Sequence, residues 1–162
     1  MTPKGYSRTQ ILLHWAVAAL VALQFLLNES ISEAWEKIED GVEAVTGPLV
    51  TQHVLTGILI LALVAWRIAL KFTRGAPNPP ESEHPLLQLA ARASHIVMNL
   101  LLLAMAVTGG LAWFGGIEAL AELHEAGKTL LLLLIGLHVV AVLYHQFVLR
   151  TNVMDRMKRP AD

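Results

Sequence analysis

Seven histidines and no cysteine define the chemistry open to this 162-residue chain. Disulfides, thiolate catalysis, thiolate-ligated haem and cysteine-bound iron–sulfur clusters are excluded. Imidazole remains, and it ligates iron, zinc or copper and moves protons near neutral pH. His14, His53, His124 and His138 fall in or at the edge of long apolar runs. An ionisable group at membrane depth is costly and marks a candidate functional site.

His124 and His138 are 14 residues apart. At about 100° and 1.5 Å per residue, that interval returns a helical side chain to within roughly 40° of its starting direction, about 21 Å further along. The two rings therefore share a face at two levels. By position in their runs, His53 matches the level of His124 and His14 matches that of His138. Two couples on facing helices predict two sites at different depths. A b-type haem is held by axial imidazoles, and two of them saturate the iron, which suits electron transfer rather than oxygen binding. A lone membrane histidine would as readily hydrogen-bond a neighbouring helix; pairing by level is what favours ligation.

Other residues take supporting places. Arg67 follows His53 by the same interval, so it projects from the same face at the level of His14 and His138. It suits a haem propionate, and equally a headgroup anchor that snorkels. Gly57, Gly127 and Gly136 lie near the histidines and offer places where a porphyrin can approach the backbone. His95 and His145 are candidates for packing, for supporting a haem ligand, or for a quinone site, with Tyr144 beside His145 as a further proton source. His84, next to Pro85, reads as a loop residue, and Trp15, Trp66 and Trp113 as interfacial anchors.

These side chains need transmembrane helices to hold them. With 55% hydrophobic and 15% charged residues and a mean hydropathy of +0.55, the chain carries more apolar surface than a soluble domain buries. Apolar runs at 11–27, 54–70, 96–114 and 129–149 each approach the roughly 20 residues that cross the hydrocarbon core, and predict spans over about 9–28, 52–72, 90–114 and 124–149. The first run follows Lys4 and Arg8 but continues past the weak cleavage-like Ala16-Val17-Ala18, and so reads as a retained helix. The expectation is an all-α, integral membrane four-helix bundle, residues 1–162 forming a single domain.

Charge orients it. Lys4, Arg8, Arg67, Lys71, Arg74, Arg92, Arg150, Arg156, Lys158 and Arg159 lie on one side. The other side holds Lys37 and Lys128 against Glu29, Glu33, Glu36, Glu39, Asp40, Glu43, Glu118, Glu122 and Glu125. The positive-inside rule places both termini in the cytoplasm. The proline-rich stretch 75–85 reads as an extended cytoplasmic linker, and Trp35 sits in a segment suited to a short amphipathic helix on the outer surface.

At this point the residues resemble the bacterial cytochrome b561 family. The matching elements are Tyr6-Ser7-Arg8 with Leu13-His14-Trp15, then His53-Val54-Leu55-Thr56-Gly57, the Arg67 region, Leu123-His124-Glu125 and Gly136-Leu137-His138. They span nearly the whole chain. The resemblance implies two haem b groups, one on His14 and His138 and one on His53 and His124. It further implies superoxide oxidation on the periplasmic side coupled to ubiquinone reduction near the cytoplasmic side, the activity of a superoxide oxidase. His145 corresponds to a family histidine near the quinone region, and His95 resembles a family position on the third helix.

The acidic outer loops depart from that expectation, because they repel an anionic donor and suit a small basic electron carrier. Expected partners are thus lipid, a quinone, and superoxide or such a carrier, with no nucleic acid. An alternative is a haem-bearing anchor subunit of a larger dehydrogenase or hydrogenase. A histidine-lined metal transporter is the remotest reading, since such pathways usually add carboxylates or sulfur ligands at membrane depth, whereas here the acidic residues are nearly all in loops and the spans hold no cysteine.

Overall fold

The computed structural model describes residues 3, 5–43, 46–78, 83–151 and 153–161. Lys4 of the charge pattern and Pro79 and Pro80 of the linker lie outside them. Five helices follow in order: α1 (Arg8–Leu26), α2 (Glu29–Glu39), α3 (Pro48–Arg74), α4 (Pro85–Gly115) and α5 (Glu118–Phe147), then a 3₁₀ turn at Asp155–Met157. α1, α3, α4 and α5 are long and apolar enough to cross a membrane. The architecture is an all-α bundle of four such helices, with α2 as the short amphipathic element.

The last three run for 27, 31 and 30 residues, about 40–47 Å at 1.5 Å per residue. That exceeds a hydrocarbon core of roughly 30 Å, so their ends project beyond it. The apolar runs mark only the lipid-facing middle; the backbone hydrogen-bond ladder carries each helix on through polar residues. α4 thus starts at Pro85 rather than 90, and α5 at Glu118 rather than 124. His124 lies inside α5 instead of opening it.

Local chemistry sets the ends. Ser7 and Gln10 form a reciprocal capping box at the start of α1. The Gln10 amide also donates to the Gly75 carbonyl at 3.0 Å, tying the start of α1 to the end of α3. Pro48 and Pro85 occupy first turns, where a missing N–H costs nothing. His84 is no plain loop residue: its Nδ1 accepts from the Leu86 N–H and caps α4. Gly116, at φ 64°, ends α4 in the left-handed region and turns the chain into α5.

Helices pack in the order α1, α3, α4, α5, with α2 against α3. Val17, Val21, Ile60, Val64, Leu102 and Leu131 form the core. The outward faces are apolar: Phe72, Leu133 and Leu137 are 84%, 67% and 62% exposed. Apolar surface on that scale is stable against lipid and not against water.

Both termini lie at one end of the bundle. The Ala161 N–H donates to the Tyr6 carbonyl at 3.1 Å, and the Trp15 indole donates to the Met157 carbonyl at 2.8 Å. Arg156 reaches the Asn78 carbonyl at 2.7 Å. The segment after α5 therefore folds back under α1 and the linker, and Trp15 serves as its anchor.

Candidate functional site

At the end remote from the termini, His53 of α3 and His124 of α5 face each other with ring centroids 6.5 Å apart. Nearer the termini, His14 of α1 and His138 of α5 stand at the same 6.5 Å. Metal–imidazole bonds of about 2.0–2.1 Å, with the ring radius added at each end, put two rings on opposite sides of one metal at roughly 6.3 Å between centroids. Both couples stand at about that separation. They also span α3/α5 and α1/α5, helix pairs that form no packed seam among the described residues, leaving room for a group between them.

The far couple opens into a cavity of about 550 Å³, within the range of small-molecule and cofactor sites. Gly57, Gly109, Gly110, Leu102 and Leu131 line it, with Trp35 of α2 at its mouth. The His124 Nδ1 lies 2.8 Å from the Met105 carbonyl on α4. A carbonyl only accepts, so this nitrogen carries the proton and Nε2 keeps its lone pair for a metal. Of the glycines expected to give close approach, Gly57 and Gly136 meet nothing tighter than ordinary contact, and Gly127 faces the flexible Met105 side chain. The position tight against a histidine ring is Gly109, whose significance depends on a ring crossing from α5 and leaves no trace near any histidine in the sequence.

The couple near the termini has different company. Arg67 Nη2 lies 3.3 Å from the His14 Nδ1. His95 of α4 stacks edgewise on His138 at 5.3 Å, too close to share a metal from opposite sides, so it flanks the couple. Trp15 meets His14 edge-on at 5.3 Å. Four helices thus contribute to this level.

His145 is placed elsewhere. Its Nδ1 lies 3.2 Å from the Thr151 hydroxyl and 2.9 Å from Glu83 Oε1, at ion-pair distance but off the hydrogen-bond axis. The Glu83 side chain is 4% exposed. A buried carboxylate supplied by the linker was not foreseen from sequence, where it looks like any solvated loop charge.

The arrangement is one of paired imidazoles at two depths in a membrane bundle, and the pattern of the prokaryotic cytochrome b561 family matches residues 5–160. The chain belongs to that family. As a prokaryotic cytochrome b561 it is a membrane electron-transfer protein, and membership implies haem b. It is 35% identical to a cytochrome b562 of Cereibacter sphaeroides, with 96% of each chain covered. It is 30% identical to a probable superoxide oxidase of Yersinia pestis, over 95% of this chain and 96% of that one. A cytochrome b561 homologue of Escherichia coli is 25% identical, over 96% and 92%. These relatives place the b561 protein among oxidoreductases.

Proposed function

We propose that this cytochrome b561 carries electrons across the bacterial inner membrane, from a periplasmic donor to ubiquinone near the cytoplasmic face, with both termini cytoplasmic. Two haem b groups are the cofactors, and bound iron supplies the one-electron steps. His53 and His124 hold the periplasmic one, and His14 and His138 the cytoplasmic one. The observation carrying the reading is the equal 6.5 Å spacing of the two couples.

The protein's own groups do five things. The Met105 carbonyl fixes the tautomer of His124. Arg67 would hold a haem propionate: a His14 ring ligating through Nε2 would carry its proton on Nδ1 and could not accept from the guanidinium, whose fork suits a carboxylate. His95 flanks His138 and restrains its ring. The apolar helix faces exclude water from the space between the couples. His145, with Glu83 behind it, positions protons for quinone reduction at the cytoplasmic end.

Superoxide is the donor suggested by the name of the Yersinia relative. A basic electron-carrier protein, or a partner dehydrogenase for which this chain is the anchor, is favoured by a specific observation. Glu29, Glu33, Glu36, Glu39, Asp40 and Glu43 gather on and after α2, and Glu36 and Glu39 line the far cavity.

Haem-to-protein stoichiometry in His138→Ala and His53→Ala tests the ligand assignment. Each variant is expected to lose one haem and keep the other. Retention of both haems by either variant contradicts it.

A further inference from the structure

We infer that Gly109 positions the periplasmic haem ligand: its bare backbone lets the His124 ring lie against α4 and place its Nδ1 proton on the Met105 carbonyl. The inference rests on the proposed ligation by His53 and His124.

The geometry is specific. In an α-helix the carbonyl of residue i accepts from the N–H of residue i+4, so the helical partner of Met105 O is Gly109. Each Cα–Cβ bond tilts toward the helix N-terminus, so any side chain at 109 would lean over the turn that presents this carbonyl. A methyl there would stand 2.8 Å from Cε1 and 2.9 Å from Nδ1 of His124. Both are ring atoms, and the ring cannot yield the way a flexible chain end does. Either His124 rotates, breaking the 2.8 Å contact to Met105 O, or α4 and α5 move apart.

The rest of the far couple makes this contact matter. No hydrogen-bond partner stands beside the buried His53 Nδ1 among the described residues. Thr108 Oγ1 lies 3.5 Å from the His124 Nδ1, at the outer limit of a hydrogen bond, and its hydroxyl is already directed to the Ala104 and Met105 carbonyls. Among the described residues the Met105 carbonyl is thus the one close hydrogen-bond partner of either ring. Ligand orientation controls both haem retention and the electronic state of the iron, and loss of such a supporting partner typically weakens metal binding 10- to 100-fold, by order of magnitude.

Gly110 supplies an internal control. It is the next residue on the same helix and lines the same cavity, yet a methyl there meets nothing within 4 Å. Helix propensity changes alike at both positions, so only the His124 contact separates them.

The experiment compares full-length wild type, Gly109→Ala, Gly110→Ala and His124→Ala, purified with haem b, by haem-to-protein ratio and low-temperature paramagnetic resonance of the two low-spin centres. The expected result is a Gly110→Ala protein like wild type, and a Gly109→Ala protein that keeps one signal while shifting or losing the signal that His124→Ala removes. Its haem ratio falls toward half. If Gly109→Ala matches Gly110→Ala while His124→Ala loses a haem, the inference fails and the ligand assignment stands. If His124→Ala keeps both haems, the assignment fails and takes the inference with it. Should Gly109→Ala not accumulate, the loaded wild type decides: a hyperfine-shifted His124 Nδ1 proton in slow exchange with solvent upholds the inference, and one in fast exchange overturns it.

Discussion

Arg67 of α3 reaches across the bundle to His14 of α1, with Nη2 3.3 Å from the ring Nδ1. Among the described residues no cation stands this close to the far couple; Lys128, the nearest basic residue in sequence to His124, is paired with Glu125. The level of His14 therefore carries a fixed positive charge in contact with its couple that the far couple lacks among the described residues, and a fixed positive charge favours the reduced state of a nearby iron.

Replacing Arg67 with Gln keeps hydrogen-bonding capacity and removes the charge. With haem ligated as proposed, the one on His14 and His138 is expected in the variant to fall in midpoint potential by on the order of 59 mV, a tenfold change for a one-electron couple. The periplasmic haem should stay within a fraction of that. Spectroelectrochemical titration resolves the two. An unchanged difference between them contradicts a role for this charge in directing electrons inward.

The pairing of rings was legible because helix periodicity and depth along a span are both properties of sequence. His124 and His138 had to share a face, and His53 and His14 had to meet them at matching levels. The same interval carried Arg67 to the level of His14. What depends on a second helix was not legible. Gly109 acquires meaning from a ring on α5, Glu83 from burial against His145, and Trp15 from a carbonyl 142 residues away. The helix ends were also missed, because hydropathy falls off before the hydrogen-bond ladder does.

Glu83 and His145 join the linker to the last turn of α5. Leaving a buried polar group unpaired costs about 1–3 kcal/mol, and for a chain of this size each kcal/mol moves Tm by about 2–4 °C. Glu83→Gln is accordingly expected to melt about 2–12 °C lower in detergent and to slow ubiquinone reduction while leaving both haem spectra unchanged. Altered haem spectra, or full activity at an unchanged Tm, would show that the contact has neither role.

Tyr6 lies outside the spans, where the terminal segment folds back. Burial raises its phenol above the ordinary value of 10.0, with Arg156 and Arg67 opposing the shift. A raised pKa means that the folded protein favours the neutral phenol. The resulting stability is fully present below pH 10.0 and is lost as pH climbs through the higher folded value. The difference in tyrosinate absorbance between wild type and Tyr6→Phe should therefore develop above pH 10.0 in the folded protein. Ionisation of Tyr6 at or below that value contradicts the packing of this segment.

The donor is distinguished by salt. Six carboxylates on and after α2, with Glu118, Glu122 and Glu125 of α5, face an approaching molecule with negative potential, and Lys37 and Lys128 offset little of it. Superoxide must approach against this field, and screening over a Debye length of about 10 Å at 0.1 M salt, against 30 Å at 0.01 M, removes much of the opposition. Its rate of haem reduction in stopped flow should rise with ionic strength. A small basic carrier is drawn in by the same field, so its rate should fall along that series. Glu36→Gln with Glu39→Gln, in the lining of the far cavity, should flatten both slopes. A superoxide rate that falls with salt would mean that local positive charge outweighs the acidic surface where the donor enters.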